Sequence, residues 1–308
     1  MDTKKQKILI TGVAGFIGSN LADRLVASGY AVVGIDNLAY GVREQVPRGI
    51  EFHKADIRSQ EIYPLFQGVD IVFHLAAKND LLACQANPVE TIDVNIRGTA
   101  NVFEAAKRAG AKKVVYASSS AVEEGEARLR GFYALSKAGS ERIAESYREG
   151  FGLASVCLRY FNVYGPRQDY RRAHPPVMSA LILQMLKREK PIFVEGSEKN
   201  KRDFVYVDDI NDFHLLCADD SRVNDKLFRL GSGRSYSIKE VYEVIKKILG
   251  NNEEPIVKPR LPGDVPVVTL ADIRDAESIG WSPKTSLEEG LRKQVEYLKK
   301  EYADGNIK

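Results

Sequence analysis

Two kinds of segment alternate through the first half of the 308-residue chain. Short β-rich runs occur at KILIT, AVVGID, IEFHKAD, DIVFHLAA, KKVVYASS and ASVCLRYF. Between most of them lie longer amphipathic stretches: FIGSNLADRLVAS (16–28), TIDVNIRGTANVFEAAKRAG (91–110) and YALSKAGSERIAESYREG (133–150). Such alternation predicts a parallel sheet with helices on both faces. YGPRQDYRRAHPPV (164–177) interrupts it with prolines, a glycine and charge. Further on, the pattern predicts a helix near 177–188, a strand-helix unit at DFVYVDDINDFHLLC, a strand at KLFRLG, and helices over 237–249 and 286–302. VKPRLPGDVP (257–266) reads as a loop between the last two helices. The expected division is one domain over 1–165, to which the chain returns around 204–231, and a smaller α/β lobe over 166–308.

Composition narrows the class. Hydrophobic residues make up 44% and charged residues 28%, as in ordinary soluble enzymes. The net charge is +3, and the basic runs KREK and KNKR are short, so no nucleic-acid partner is expected. Cys84, Cys157 and Cys217 are widely spaced and odd in number, which suits a reducing compartment. His53, His74, His174 and His214 show no paired spacing, and no metal site is expected. The start MDTKKQKILITG lacks an apolar signal-type segment, and no run is long enough to span a bilayer. The expectation is a cytoplasmic protein without a membrane partner.

The first candidate chemistry is the turn ILITGVAGFIGSNLADRL, which places Gly12, Gly15 and Gly18 between the first strand and the first helix. Gly12 permits a tight turn, Gly15 lets a phosphate approach the backbone, and Gly18 lets helix and strand pack closely. The helix N-terminus adds N–H groups and partial positive charge suited to a pyrophosphate. The next strand ends at Asp36, where a carboxylate would accept the adenosine ribose hydroxyls and repel a 2′-phosphate. NAD is therefore expected over NADP, and Arg43 close by weakens that preference slightly. The implied architecture is a Rossmann-type doubly wound sheet.

The second is YASSSAVEEGEARLRGFYALSK (116–137). A free phenol titrates near 10 and is a poor base at neutral pH. Tyr133 and Lys137 stand four residues apart on one helix face, so the ammonium can stabilise the phenolate. The serines at 118–120 end the fifth strand, at the sheet edge where ligands of such folds bind. A hydroxyl there can hold a substrate hydroxyl while the tyrosine takes its proton.

The chain resembles the extended short-chain dehydrogenase/reductase family, and within it the NAD-dependent nucleotide-sugar epimerases, dehydratases and decarboxylases. TGVAGFIGSNL, DNLAYG, ADI, VFHLAA, VNIRGTANVFEAA, YASSSAV, YALSK, LRYFNVYGPRQ, RDFVYVDDI and PRLPGD look like its motifs in the same order. The resemblance implies an NAD-binding lobe, a smaller lobe for a nucleotide diphosphate sugar, and a homodimer formed by the helices around 91–109 and 133–149. For the cofactor it implies Gly12, Gly15, Phe16, Ile17 and Gly18 at the pyrophosphate. It implies Asp36 and Asn37 at the ribose, and Asp56 and Ile57 at the adenine. Leu75, Ala76, Ala77, Asn95, Ser118, Tyr133, Lys137 and Tyr160 follow further along. Ser119, Tyr133 and Lys137 match the catalytic serine, base and partner cation. Asn162, Arg202, Arg260 and Asp264 match the substrate side, where guanidinium groups suit a diphosphate. Val268 falls on a gate position, and its modest size points to a site that also admits N-acetylhexosamines.

Ser120 and Ala121 stand where dehydratases carry Asp and Glu. Neither can serve as acid or base, which favours an epimerase, although Glu123 and Glu124 lie close by. Tyr133 follows Ser119 by fourteen positions, a shorter connection than the family's. The expected activity is C4 inversion of a nucleotide-diphosphate sugar (UDP-glucose/UDP-galactose) through a transient 4-keto sugar. The alternatives are uronic acid epimerisation or decarboxylation, and a non-catalytic NAD-binding regulator.

Overall fold

The computed structural model describes residues 6–123, 131–251, 253–259 and 267–307. In chain order the strands are β1 (Lys7–Thr11), β2 (Ala31–Asp36), β3 (Glu51–Lys54), β4 (Ile71–His74), β5 (Lys113–Ser119), β6 (Ala154–Tyr160), β7 (Asn162–Tyr164), β8 (Ile192–Val194), β9 (Lys201–Tyr206), β10 (Leu227–Leu230), β11 (Ser235–Ser237) and β12 (Ile256–Lys258). The helices are α1 (Phe16–Ala27), α2 (Leu81–Ala86), α3 (Pro88–Ile92), α4 (Gly98–Ala109), α5 (Phe132–Phe151), α6 (Val177–Leu186), α7 (Val207–Asp219), α8 (Ile238–Leu249), α9 (Arg274–Glu277) and α10 (Leu287–Ala303).

The chain divides into two compact units. The first runs through Tyr160 and includes Asn211–Arg229. Among the described residues its sheet has the order β10-β6-β5-β4-β1-β2-β3. β1 pairs in parallel with β2 and β4, β2 with β3, β4 with β5, and β5 with β6. β10 completes the edge, with Cys157 N donating to Lys226 O at 3.0 Å. This is the doubly wound α/β sheet that the alternation predicts. Ile8, Leu9 and Ile10 of β1 and Ile71, Val72 and Phe73 of β4 are wholly buried, as a strand covered by helices on both faces requires. Val102, Phe103, Ala105 and Ala106 of α4 and Ala144 of α5 join Leu9, Val33, Val72 and Val114 in one core. Because β2 and β3 lie on one side of β1 and β4 to β6 on the other, the strand order reverses between β1 and β4. A crevice at the carboxyl ends of those two strands is where such sheets bind ligands.

The second unit comprises Phe161–Ile210 and the chain from Leu230 onward. β9 pairs antiparallel with β11 and parallel with β7, while β8 and β12 form a separate parallel pair. α6, α8 and α10 pack on one another. Asp203, a polar group of this unit, has no exposed surface. The carboxylate accepts from Ser232 N (2.6 Å), Ser232 Oγ (2.8 Å), Gly233 N (3.0 Å) and Ala271 N (3.0 Å). These bonds tie β9 to the segments around 231 and 271.

Two expectations change. The helix expected over 91–110 is broken: a π-helical turn occupies Asp93–Arg97 between α3 and α4. Ile256–Lys258, partly inside the expected loop 257–266, is a strand paired with β8. β7, β8, β11 and β12 have three residues each, too few to display a period of two. Among the described residues, no helix is long and apolar enough to cross a membrane.

Candidate active site

The turn after β1 is held by Gly12 N and Val13 N, both donating to Ile35 O (2.8 and 3.4 Å). Gly12 adopts φ +75°, and a Cβ there would stand 2.8 Å from Ala76 N. A Cβ on Gly18 would stand 2.2 Å from Gly12 O, so α1 reaches the turn only because Gly18 has no side chain. No side chain caps α1 at Gly15, and Phe16 and Ile17 open the helix half-buried. Backbone N–H groups at a helix start, without a capping side chain, suit a pyrophosphate. The cradle therefore fits a dinucleotide on its own geometry.

Asp36 ends β2 and is nearly buried. Its carboxylate accepts Ala14 N (3.0 Å) and Leu38 N (2.8 Å), fixing it beside the turn. Burial pushes its pKa up, and the two amides act against that rise. Arg43, expected to temper the preference against a 2′-phosphate, stacks over the Phe52 ring at 4.4 Å. Asn37 donates to Asp56 (3.0 Å). Asp56 is also held by Arg58, whose guanidinium keeps the carboxyl well below the usual range. Ile57 packs where a Cβ on Gly98 would meet it.

Leu75, Ala76 and Ala77 continue β4 half-buried, with Leu75 N bonded to Thr11 O and Ala76 N to Thr11 Oγ1. Behind them runs a directed hydrogen-bond chain. Thr99 Oγ1 donates to Asn95 O, so it must accept from His74 Nε2 (2.9 Å). His74 Nδ1 is then the acceptor for Thr11 Oγ1 (2.7 Å). Burial and the Lys137 charge hold His74 at a pKa of about 3, so the imidazole is neutral. Asn95, buried on the π-helical turn, accepts from Lys78 N (2.8 Å) and donates to Lys78 O (3.0 Å) and Ser136 Oγ (2.9 Å). Ser136 Oγ donates to Tyr133 O (2.8 Å), and Ser140 Oγ to Asn95 O (2.8 Å). Asn95 thus locks the first turns of α5 to the end of β4. π-helical turns recur at functional sites for this kind of re-aiming.

α5 carries Tyr133 and Lys137. The Lys137 ammonium is buried, donates to Ala117 O at 2.6 Å, and lies 6.0 Å from the Tyr133 ring centroid. Burial pushes its pKa down to about 8, against the opposing Glu141 carboxylate. Ala117 is two residues before Ser119 on β5, so the cation joins the strand end to the tyrosine's helix. Ser119 is half-buried and its Oγ accepts from Ala121 N (3.2 Å). The Ser118 hydroxyl turns to Glu141 (2.5 Å). Tyr160 is buried, with its hydroxyl 2.6 Å from His214 Nε2. Glu123, a conceivable acid, is engaged by Arg159 (3.0 Å) and Arg229 (2.5 Å). Glu124 lies outside the described residues.

In the second unit Asn162 stands on β7 in register with Phe204 of β9, the strand that also carries Arg202. Asn162 Nδ2 donates to Asp203 O (2.8 Å), and Arg202 Nη1 donates to Val267 O (2.5 Å). Val268 bridges to Lys201 and is exposed. Arg260 and Asp264 lie outside the described residues. Sequence reasoning missed Lys78, a buried lysine paired with Glu90, as well as Glu141 and Arg159. A basic residue directly after the LAA of β4 was the one available signal.

Sites of this construction characterise the short-chain dehydrogenases and reductases, in which a dinucleotide at the switch point faces a tyrosine–lysine pair. The model of the NAD dependent epimerase/dehydratase family matches residues 8–231, and the chain belongs to that family, whose cofactor is NAD. A putative UDP-glucose 4-epimerase of Methanocaldococcus jannaschii is 34% identical over 95% of this chain and 98% of its own length. The crystal structure of UDP-glucose 4-epimerase with UDP-glucose from Thermotoga maritima matches with a TM-score of 0.90 and 33% identity, over 96% of this chain and all of that one. The UDP-N-acetylglucosamine 4-epimerase of Methanobrevibacter ruminantium, in complex with UDP-N-acetylmuramic acid, matches with a TM-score of 0.90 and 30% identity, over 97% of this chain and all of that one.

Proposed function

We propose that the protein inverts C4 of a UDP-hexose, UDP-glucose and UDP-galactose first, with UDP-N-acetylhexosamines also accepted. The observation that carries the reading is the buried Lys137 ammonium, 2.6 Å from Ala117 O and 6.0 Å from the Tyr133 ring. A cation so placed stabilises a phenolate at neutral pH, which makes Tyr133 the base for the 4-hydroxyl. Bound NAD would supply a reversible hydride acceptor for the carbon bearing that hydroxyl. Gly12, Gly15 and Gly18 would hold its pyrophosphate, Asp36 its ribose, and Leu75 to Ala77 its further length. Ser119 orients the 4-oxygen while Tyr133 removes and later restores the proton. The 1–165 domain, with the return around 204–231, is the cofactor domain in this reading. Arg202 and Arg260 of the 166–308 lobe, together with Asn162, serve the diphosphate, and Val268 serves the sugar. The working form is a cytoplasmic homodimer built on the helices around 91–109 and 133–149.

The test is proton NMR of purified protein with NAD and, separately, UDP-glucose, UDP-N-acetylglucosamine and UDP-glucuronate. Inversion at C4 of a neutral hexose is expected. A pentose product from UDP-glucuronate means decarboxylation, and no turnover on any of the three sinks the epimerase reading.

A further inference from the structure

The connection from Ser119 to Tyr133 begins with a short turn, and the side chain that ends this turn is tied into an ion network. Ser119 Oγ accepts from Ala121 N, and Glu123 N donates to Ser120 O at 3.0 Å, so Ser119 to Glu123 form one closed unit. The Glu123 carboxylate takes Arg159 of β6 (3.0 Å) and Arg229 of β10 (2.5 Å) on the same oxygen. Arg159 grips Glu141 of α5 with two parallel bonds, Nε to Oε1 (2.8 Å) and Nη2 to Oε2 (2.7 Å). Glu141 Oε1 accepts the Ser118 hydroxyl, which returns the circuit to β5.

Two features take this network beyond fold support. First, it brackets the site along the chain. Ser118 adjoins Ser119, Glu141 stands one helical turn beyond Lys137, and Glu123 closes the turn that Ser119 opens. Second, its charges balance two against two in a partly buried setting: side-chain exposure is 13% for Glu141, 16% for Arg159 and 23% for Glu123. Removing one member of such a set leaves an uncompensated charge that the neighbours must move to accommodate. The neighbour that the change touches first is the turn itself, because Glu123's pairs with Arg159 and Arg229 tie its far end to β6 and β10.

We propose that Glu123 is a positioning residue for Ser119, holding the serine-bearing turn in register with α5 through Arg159 and Arg229. The proposal rests on the epimerase reading for its kinetic consequences, and on the turn geometry alone for its structural ones.

The test compares wild type, Glu123→Gln, Glu123→Asp, Ser119→Ala and the double variant Glu123→Gln/Ser119→Ala, all in the full chain. With UDP-glucose, Glu123→Gln is expected to lower kcat about tenfold, the scale of a sub-ångström misplacement, with KM changed less than about twofold. Glu123→Asp should recover part of the loss. Adding Glu123→Gln to Ser119→Ala should cost less than about twofold, because the group being positioned is already gone. An equal loss in both backgrounds assigns Glu123 a purely structural role and overturns the proposal. So does wild-type kcat in Glu123→Gln. Hydrogen–deuterium exchange gives a readout independent of turnover. Peptides covering 118–123 should exchange faster in Glu123→Gln, while those of β1 and α1 stay unchanged. Unaltered exchange at 118–123 refutes the proposal even if the enzyme is active. Faster exchange in a protein inert on all UDP-sugars supports the positioning and rejects the epimerase reading instead.

Discussion

Replacing Lys137 with methionine isolates the electrostatic step. The ammonium lies 6.0 Å from the Tyr133 ring centroid, in a buried setting. At an effective dielectric of about 20, a unit charge at that distance favours the phenolate by about 3 kcal/mol, or about two pH units. Methionine fills similar volume without the charge. The rising, acidic limb of kcat/KM against pH for C4 inversion should therefore move up by about two units in Lys137→Met. On that limb the variant should be about a hundredfold slower. The gap has a further signature. Burial brings Lys137 to a pKa of about 8, so the wild-type cation is present below that pH and lost above it. Wild type and variant should converge as the pH rises through 8 towards 10. The broken bond to Ala117 O also changes stability, and because burial depresses the lysine's pKa that change itself varies with pH above about 8. NAD affinity and the unfolding midpoint, measured alongside, separate the two effects. Coincident limbs, or a constant ratio of rates from pH 6 to 9.5, would refute the assignment of Lys137 as the phenolate's partner.

His74 and His214 are both buried and held at a pKa of about 3, against about 6.5 in an unfolded chain. Their depressed values give stability that is complete above pH 6.5 and lost as the pH falls towards 3, at about 1.4 kcal/mol per pH unit for each histidine. Urea unfolding at pH 6.5 and 5 should show about 2 kcal/mol lost per histidine, and His214→Gln should remove one such share; an unchanged slope would contradict it. Gly18→Ala would place a methyl 2.2 Å from Gly12 O and should weaken NAD binding at least tenfold by calorimetry, because backbone must shift. Equal affinity removes the cradle from the scheme. Asp36→Asn keeps the shape but not the charge, and should lower NAD affinity tenfold to a hundredfold, the scale of a hydrogen bond to an ionised group. No change there means the ribose is held elsewhere. Val268→Tyr, at an exposed position, should fold normally and lower kcat/KM for UDP-N-acetylglucosamine relative to UDP-glucose; an unaltered ratio would end its role as a gate.

What could be read from the chain, and what could not, follows the range of the interactions. The parallel sheet was legible because each strand of the first unit is a dense apolar run between helical repeats, and burial on both faces leaves that imprint on consecutive residues. The glycine turn was legible for the same local reason: Gly12, Gly15 and Gly18 answer to backbone geometry within a few positions. The π-helical turn at Asp93–Arg97 was not, since one extra residue per turn hardly disturbs an amphipathic pattern. The support of the site was the least legible part. Asn95 reaches Ser136 across 41 positions, His74 reaches Thr11 across 63, and Ser118 reaches Glu141 across 23. Each partner is an ordinary residue type in its own segment, and only the fold makes it a neighbour. The family motifs therefore mark the groups that would meet cofactor and sugar, while the groups that aim them carry no mark of their own. Glu123 is the sharpest instance. In the sequence it was an acid beside three serines and a conceivable proton donor. Two arginines at the ends of β6 and β10 make it an anchor, and the same bonds take it out of contention as that donor.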